Sequence, residues 1–109
     1  MSATAPPADR ISLLRDFTAR NTGRITRLEI DDPEIGAQWA ELDLPLRGVA
    51  YDPRDDRLEI MVGDAWSTDA HLTHSIASPA DLEVVRDDAG RDLVLRVAYE
   101  GGQALLRLV

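Results

Sequence analysis

The chain has 109 residues, with 20 Asp or Glu against 12 Arg, no Lys and no Cys, and a formal charge of −8. That length suits one domain with a core of its own, and the lack of cysteine excludes disulfides, thiolate metal sites and thiol nucleophiles. The arginines alternate with acids, as in VVRDDAGRD, which argues against nucleic acid and anionic membrane, since both need a basic face.

The first ten residues, MSATAPPADR, show no basic segment followed by an apolar run, so no secretory signal is expected. No apolar stretch approaches the roughly 20 residues that cross a bilayer. The expectation is a soluble, cytoplasmic protein. Residues 1–8 are small, Pro-containing and without periodicity, and are expected to be a disordered tail ahead of a single domain over 9–109.

From Asp9 the pattern turns helical. Ile11, Leu13, Leu14 and Phe17 fall on one face at 100° per residue, with Arg15, Asp16 and Arg20 on or beside the other. Asp9 is placed to cap the start, and the NTG of Asn21 to Gly23 to stop the helix. After Gly23 the period is two. RITRLEID puts Thr26, Leu28 and Ile30 on one face; AQWAELDLPLRGVAY continues as one or two strands, broken or bulged near Pro45. DPRDD is a turn, RLEIMV a strand with Leu58, Ile60 and Val62 on one face, and GDAWSTDA a loop before the strand HLTHSI. DLEVV, LVLRVAY and ALLRLV follow, joined by DDAGRD and EGGQ.

One helix and about seven short strands with hairpin spacing give an α+β class. The helix is expected to pack on a curved, mainly antiparallel sheet or on a small, partly open barrel.

Four segments resemble a family of small bacterial proteins known only as a domain of unknown function. They are LPLRGVAYDPRDDRLEI, the VGD that ends that strand, HLTHSI followed by Pro79, and a C-terminal G..LLRL. The likeness runs from Gly36 to the C-terminus, and more weakly through the helix. It implies a compact α+β bacterial domain and no activity.

The chemistry-bearing residues concentrate in GDAWSTDAHLTHSIASP. His71 and His74 would share a face in a helix and ligate one metal together. In a strand they point to opposite faces, and the alternation of HLTHSI favours the strand. His74 then half-buries on the core face with a polar partner, and no metal site is expected. Asp52, Asp55 and Asp56 lack the spacing of an EF-hand loop, so turn chemistry is the better account. No Gly-x-Ser-x-Gly elbow or phosphate-binding glycine loop is present, so neither catalysis nor a cofactor is expected.

Trp39 shares its strand face with Ala37 and Glu41, and Trp66 lies among small polar residues. Indoles in such places either cover a core edge or serve as binding hot spots. The leading functional reading is a non-catalytic module that binds a protein partner or a second copy of itself, with ALLRLV as the strand placed at an edge for pairing. The alternative is a small-molecule or metal site formed by Asp64, Trp66, Asp69, His71 and His74. Together with Trp39 these make up the candidate surface.

Overall fold

The computed structural model describes residues 2–4, 9–32, 36–63 and 72–109, with only the backbone of 2–4 and 37–42. One helix, α1 (Arg10–Asn21), precedes seven strands: β2 (Ile25–Asp32), β3 (Gly36–Asp52), β4 (Arg57–Val62), β5 (Leu72–Ala77), β6 (Asp81–Arg86), β7 (Asp92–Tyr99) and β8 (Gly102–Leu108). An eighth strand, β1 (Ser2–Thr4), lies within the stretch expected to be a tail and pairs with Val85 to Glu83 of β6. The order is β1-β6-β7-β8-β2-β3-β4-β5, and every neighbouring pair is antiparallel.

This order requires a curved sheet. Five strands separate β5 from β6, a gap of about 29 Å on a flat sheet. Yet only residues 78–80 join them, a link that reaches about 14 Å at most. The sheet therefore curls until its two ends approach, without closing into a barrel. Its concave face carries Leu28, Leu58, Ile60 and Val62, the alternating residues read from the sequence, together with Leu82, Val84, Leu95, Val97 and Leu106, and all are essentially buried.

The long strand β3 serves two neighbours. Its first half pairs with β2 as far as Pro45, and its second half pairs with β4 from Leu46. Register shifts fall between Leu42 and Leu44 and between Leu46 and Gly48, so bulges flank Pro45, and a further shift lies between Trp39 and Glu41. Asp43, skipped in the first shift, has φ 58°, a left-handed geometry common at bulges.

Helix α1 covers the flank of β3 that β2 leaves open. Its buried stripe is Arg10, Leu14, Phe17 and Asn21, spaced four, three and four apart. Ile11, expected on that stripe, is 50% exposed. It lies about 100° round the helix from Arg10, and Arg10 takes the inner position. Asp9 makes no side-chain cap bond. The Arg10 guanidinium instead donates to the carbonyls of Pro79 (2.9 Å) and Ala80 (3.1 Å) and lies 5.3 Å from the centre of the Tyr51 ring. It thereby ties the helix start to the link that closes the curl.

The C-terminal strand corrects a further expectation. ALLRLV lies in β8, hydrogen-bonded between β7 and β2, so it is no edge and offers no free side for strand addition. Packing decides this: Ala104, Leu106 and Leu108 are buried in the core.

Candidate functional site

The end strand is β5, whose ladder runs only to β4 among the described residues. Its orientation follows from hydrogen-bond parity. Val49 donates its N–H to Thr18 Oγ1 and accepts from the same hydroxyl, so its backbone groups face α1. With a period of two, Gly48, Ala50 and Asp52 then bond to β4. Their partners Met61, Glu59 and Arg57 face β3, which turns Leu58, Ile60 and Val62 toward β5. Opposite these stand Ile76, His74 and Leu72. The amides and carbonyls of Thr73, Ser75 and Ala77 therefore point away from the sheet. The Ser78 N–H bond to the Asp56 carbonyl at 2.7 Å keeps the same phase.

His74 stands opposite Ile60 and is half-buried, on the side expected. It lines a cleft of about 360 Å³ with Leu28 and Ile30 of β2, Ser75, Ile76 and Ala77 of β5, and Tyr99 of β7. The cleft exists because the curl brings β5 across from β2 and β7 without joining them. Burial, aided by the charges of Asp32 and Asp31, pushes the Tyr99 phenol up. Tyr99 is thus held as a neutral donor at neutral pH. The arrangement can hold a small apolar body against Leu28, Ile30 and Ile76, with polar groups at its mouth.

Asp64, Trp66, Asp69 and His71 lie outside the described residues, as does the Trp39 side chain. The Trp39 backbone stands opposite Glu29 in the β2–β3 register. Of the six predicted site residues, the structure thus places the side chain of His74. Among the described residues, no group of three His, Cys, Asp or Glu is arranged to hold a metal. The DPRDD segment is a turn: Asp52 accepts the Arg54 N–H at 2.9 Å, and Asp56 accepts the Tyr51 hydroxyl.

Sequence reasoning missed the polar centre of the fold. Asp92, read only as part of a hairpin connection, is 3% exposed. It accepts from Asn21 Nδ2 (2.7 Å), Arg86 Nε (2.8 Å) and Arg20 Nε (2.9 Å), and its carbonyl accepts from Arg24 at 2.9 Å. Burial pushes its carboxyl up, but the donors from Arg20, Arg86 and Asn21 outweigh that and hold it at about 2. These donors come from α1, from Arg24 just after it and from Arg86 across the β6–β7 hairpin, so no single local spacing signals them. The cluster locks the helix end to β7 and presents no open face for a ligand.

The fold and the cleft define an α+β domain with a curled antiparallel sheet. The chain belongs to the family of unknown function DUF5335, whose model matches residues 8–108. It is 29% identical over 109 residues to an uncharacterized protein of the bacterium Aquifex aeolicus (strain VF5), covering 99% of this chain and 93% of that one. No solved structure matches it. No helix among the described residues is long and apolar enough to cross a membrane.

Proposed function

We propose that this chain is a non-catalytic, self-associating module that pairs through β5. One observation carries the reading. β5 is an end strand of six residues, LTHSIA, without Asp, Glu, Arg, Lys or Pro. Edge strands are usually blunted by charge, proline or shortness, and in a chain with 29% charged residues this one is bare. The other end is β1, with three residues.

Two β5 strands related by a two-fold axis would run antiparallel and make an isologous contact. Outward-facing residues must then oppose one another. The register with most ladder bonds sets Ser75 against its own counterpart on the axis and Thr73 against Ala77 of the second copy. Leu72, 41% exposed, would be covered at each end. An interface built on one strand pair is small, so the equilibrium should depend on concentration.

Light scattering over a concentration series tests this. The mass should rise from monomer toward dimer, and Ser75→Pro, which removes an outward N–H and no β4 bond, should keep the protein monomeric. Ser75→Lys, which places charge at the axis, should act alike. A strict monomer at millimolar concentration, or variants that associate like the parent, would refute the proposal.

A second reading rests on the cleft between β5, β2 and β7. Its apolar wall and the Tyr99 phenol suit a small, largely apolar ligand. A fragment screen read from Ile30, His74 and Tyr99 resonances would test it, and an absence of saturable shifts at those three residues would count against it.

A further inference from the structure

The groove between α1 and β3 differs in character from the β5 edge, although its Arg47 and Met61 also border a hollow with Leu72 and Thr73 of β5. It encloses about 440 Å³ and is lined by Ile11, Arg15, Arg47, Val49, Tyr51 and Met61, among others. Its wall is apolar, and Ile11 stands half-exposed on the helical side. Gly48 stands where the two elements meet: a Cβ there would make ordinary contacts, 3.4 Å from Thr18 Cγ2 and 3.7 Å from Met61 Cε.

The rim is cationic in a chain that is otherwise acidic. Five arginines (Arg20, Arg27, Arg86, Arg96 and Arg107) are engaged with carboxylates at 2.8–3.2 Å, while Arg54, with a 4.0 Å contact to Asp52, and the exposed Arg57 and Arg91 do not line the groove. Arg10 and Arg24 are spent on backbone carbonyls. Arg47, skipped where the β3–β4 register shifts, has no ion pair among the described residues. Arg15 has only a solvent-exposed contact to its neighbour Asp16, at 3.8 Å, which is worth little. Two guanidiniums thus line an apolar groove without a strong carboxylate partner, one on the helix and one on the strand. The chain's distant carboxylates are screened beyond about 8 Å at physiological salt.

The strand side also offers backbone. Val49 is bound by Thr18, and parity turns the amide and carbonyl of Tyr51 the same way, past Pro45, where pairing with β2 ends.

We infer that this groove docks an extended peptide segment of a partner protein in which carboxylates flank apolar residues. The apolar residues would lie on Ile11, Val49 and Met61. The carboxylates would take bidentate bonds from Arg15 and Arg47, and the peptide backbone would extend along β3 at Tyr51.

Selection of a random heptapeptide library on the immobilised full chain tests this, with the double variant Arg15→Glu/Arg47→Glu as counter-target. Both side chains are on the surface, so circular dichroism and the melting temperature should match the parent. Enriched peptides should carry Asp or Glu beside apolar residues and shift Ile11, Gly48, Ala50 and Tyr51 resonances saturably. Their affinity should fall about tenfold or more for the double variant. The inference is overturned if nothing is enriched over the double variant, if basic peptides are selected, or if the shifts fall on β5. It is also overturned if octanoate shifts the same residues as strongly as the peptides, which would make the groove a small-carboxylate site.

Discussion

One hydroxyl joins the helix to the sheet. Thr18 Oγ1 accepts the Val49 N–H at 3.0 Å and donates to the Val49 carbonyl at 3.1 Å. A side chain here does what a neighbouring strand does elsewhere, satisfying both backbone groups of a strand residue whose β2 partner has already turned away. Thr18→Val keeps the shape and removes both bonds. It leaves one donor and one acceptor without a partner, so it should cost about 1–3 kcal/mol. In a domain of this size that lowers the melting temperature by roughly 5–15 °C. Thr18→Ser should retain most of the stability. Denaturant melts of the two variants compare them directly, and equal loss in both would show that the methyl group, not the hydroxyl, matters.

Asp92 makes stability depend on acid. Its carboxyl is held at about 2, against an ordinary value of 3.8. A carboxyl whose folded value is depressed stabilises the fold above its unfolded value, and the contribution disappears as pH falls through the folded one. Stability from this group should therefore be complete above about pH 5 and decline between about pH 4 and 2 by roughly 2 kcal/mol. Asp92→Asn keeps the size but discards the charge that Arg20 and Arg86 share. It should destabilise at pH 7 by about 2–3 kcal/mol and flatten the acid limb of the curve. A pH series of urea melts on parent and variant measures both effects.

These two contacts also mark where the sequence stops being informative. Alternation is a local signal, and it located the strands: Leu58, Ile60 and Val62 were expected on one face and all are fully buried. The hairpin turns were legible for the same reason. Strand order is not local. Nothing in ALLRLV distinguishes a strand enclosed by β7 and β2 from one at an edge, and nothing in LTHSIA declares it terminal. The helical stripe was misjudged because its ends are polar. Arg10 and Asn21 lie inward only because Pro79, Ala80 and Asp92, about 70 residues away, supply acceptors. Of the candidate site, the half-burial of His74 was readable from alternation; the cleft it lines was not, since it is made by the curl.

Arg10 holds that curl. Its two terminal nitrogens donate to consecutive carbonyls, Pro79 and Ala80, while its Nε is buried without a partner among the described residues. Arg10→Lys retains the charge but cannot span both acceptors. It should cost about 1–3 kcal/mol. Amide exchange should quicken first at Ala80, whose N–H donates to the Ala98 carbonyl at 2.7 Å, as the β5–β6 link loosens. If exchange quickened uniformly instead, the guanidinium would be a global packing element and not a local clamp.

Two glycines with ordinary φ angles provide the sharpest contrast. A Cβ on Gly48 would make only ordinary contacts, with nothing nearer than 3.4 Å. In Gly102, at the start of β8, a Cβ would lie 2.6 Å from the Asp31 carbonyl oxygen and 3.3 Å from the Tyr99 hydroxyl. The first contact is with backbone of the adjacent strand, which can yield only by breaking the β2–β8 ladder where Asp31 opposes Gln103. Gly48→Ala should thus change stability by less than about 1 kcal/mol, since relief of backbone entropy in the unfolded chain offsets a close methyl contact. Gly102→Ala should cost about 2 kcal/mol or more through strain. It should also shift the Tyr99 resonances at the mouth of the cleft. Parallel thermal melts of the two variants decide the matter: similar melting temperatures would mean that β8 can slide away from β2 at little cost, and that the cleft floor is softer than its buried Leu28 implies.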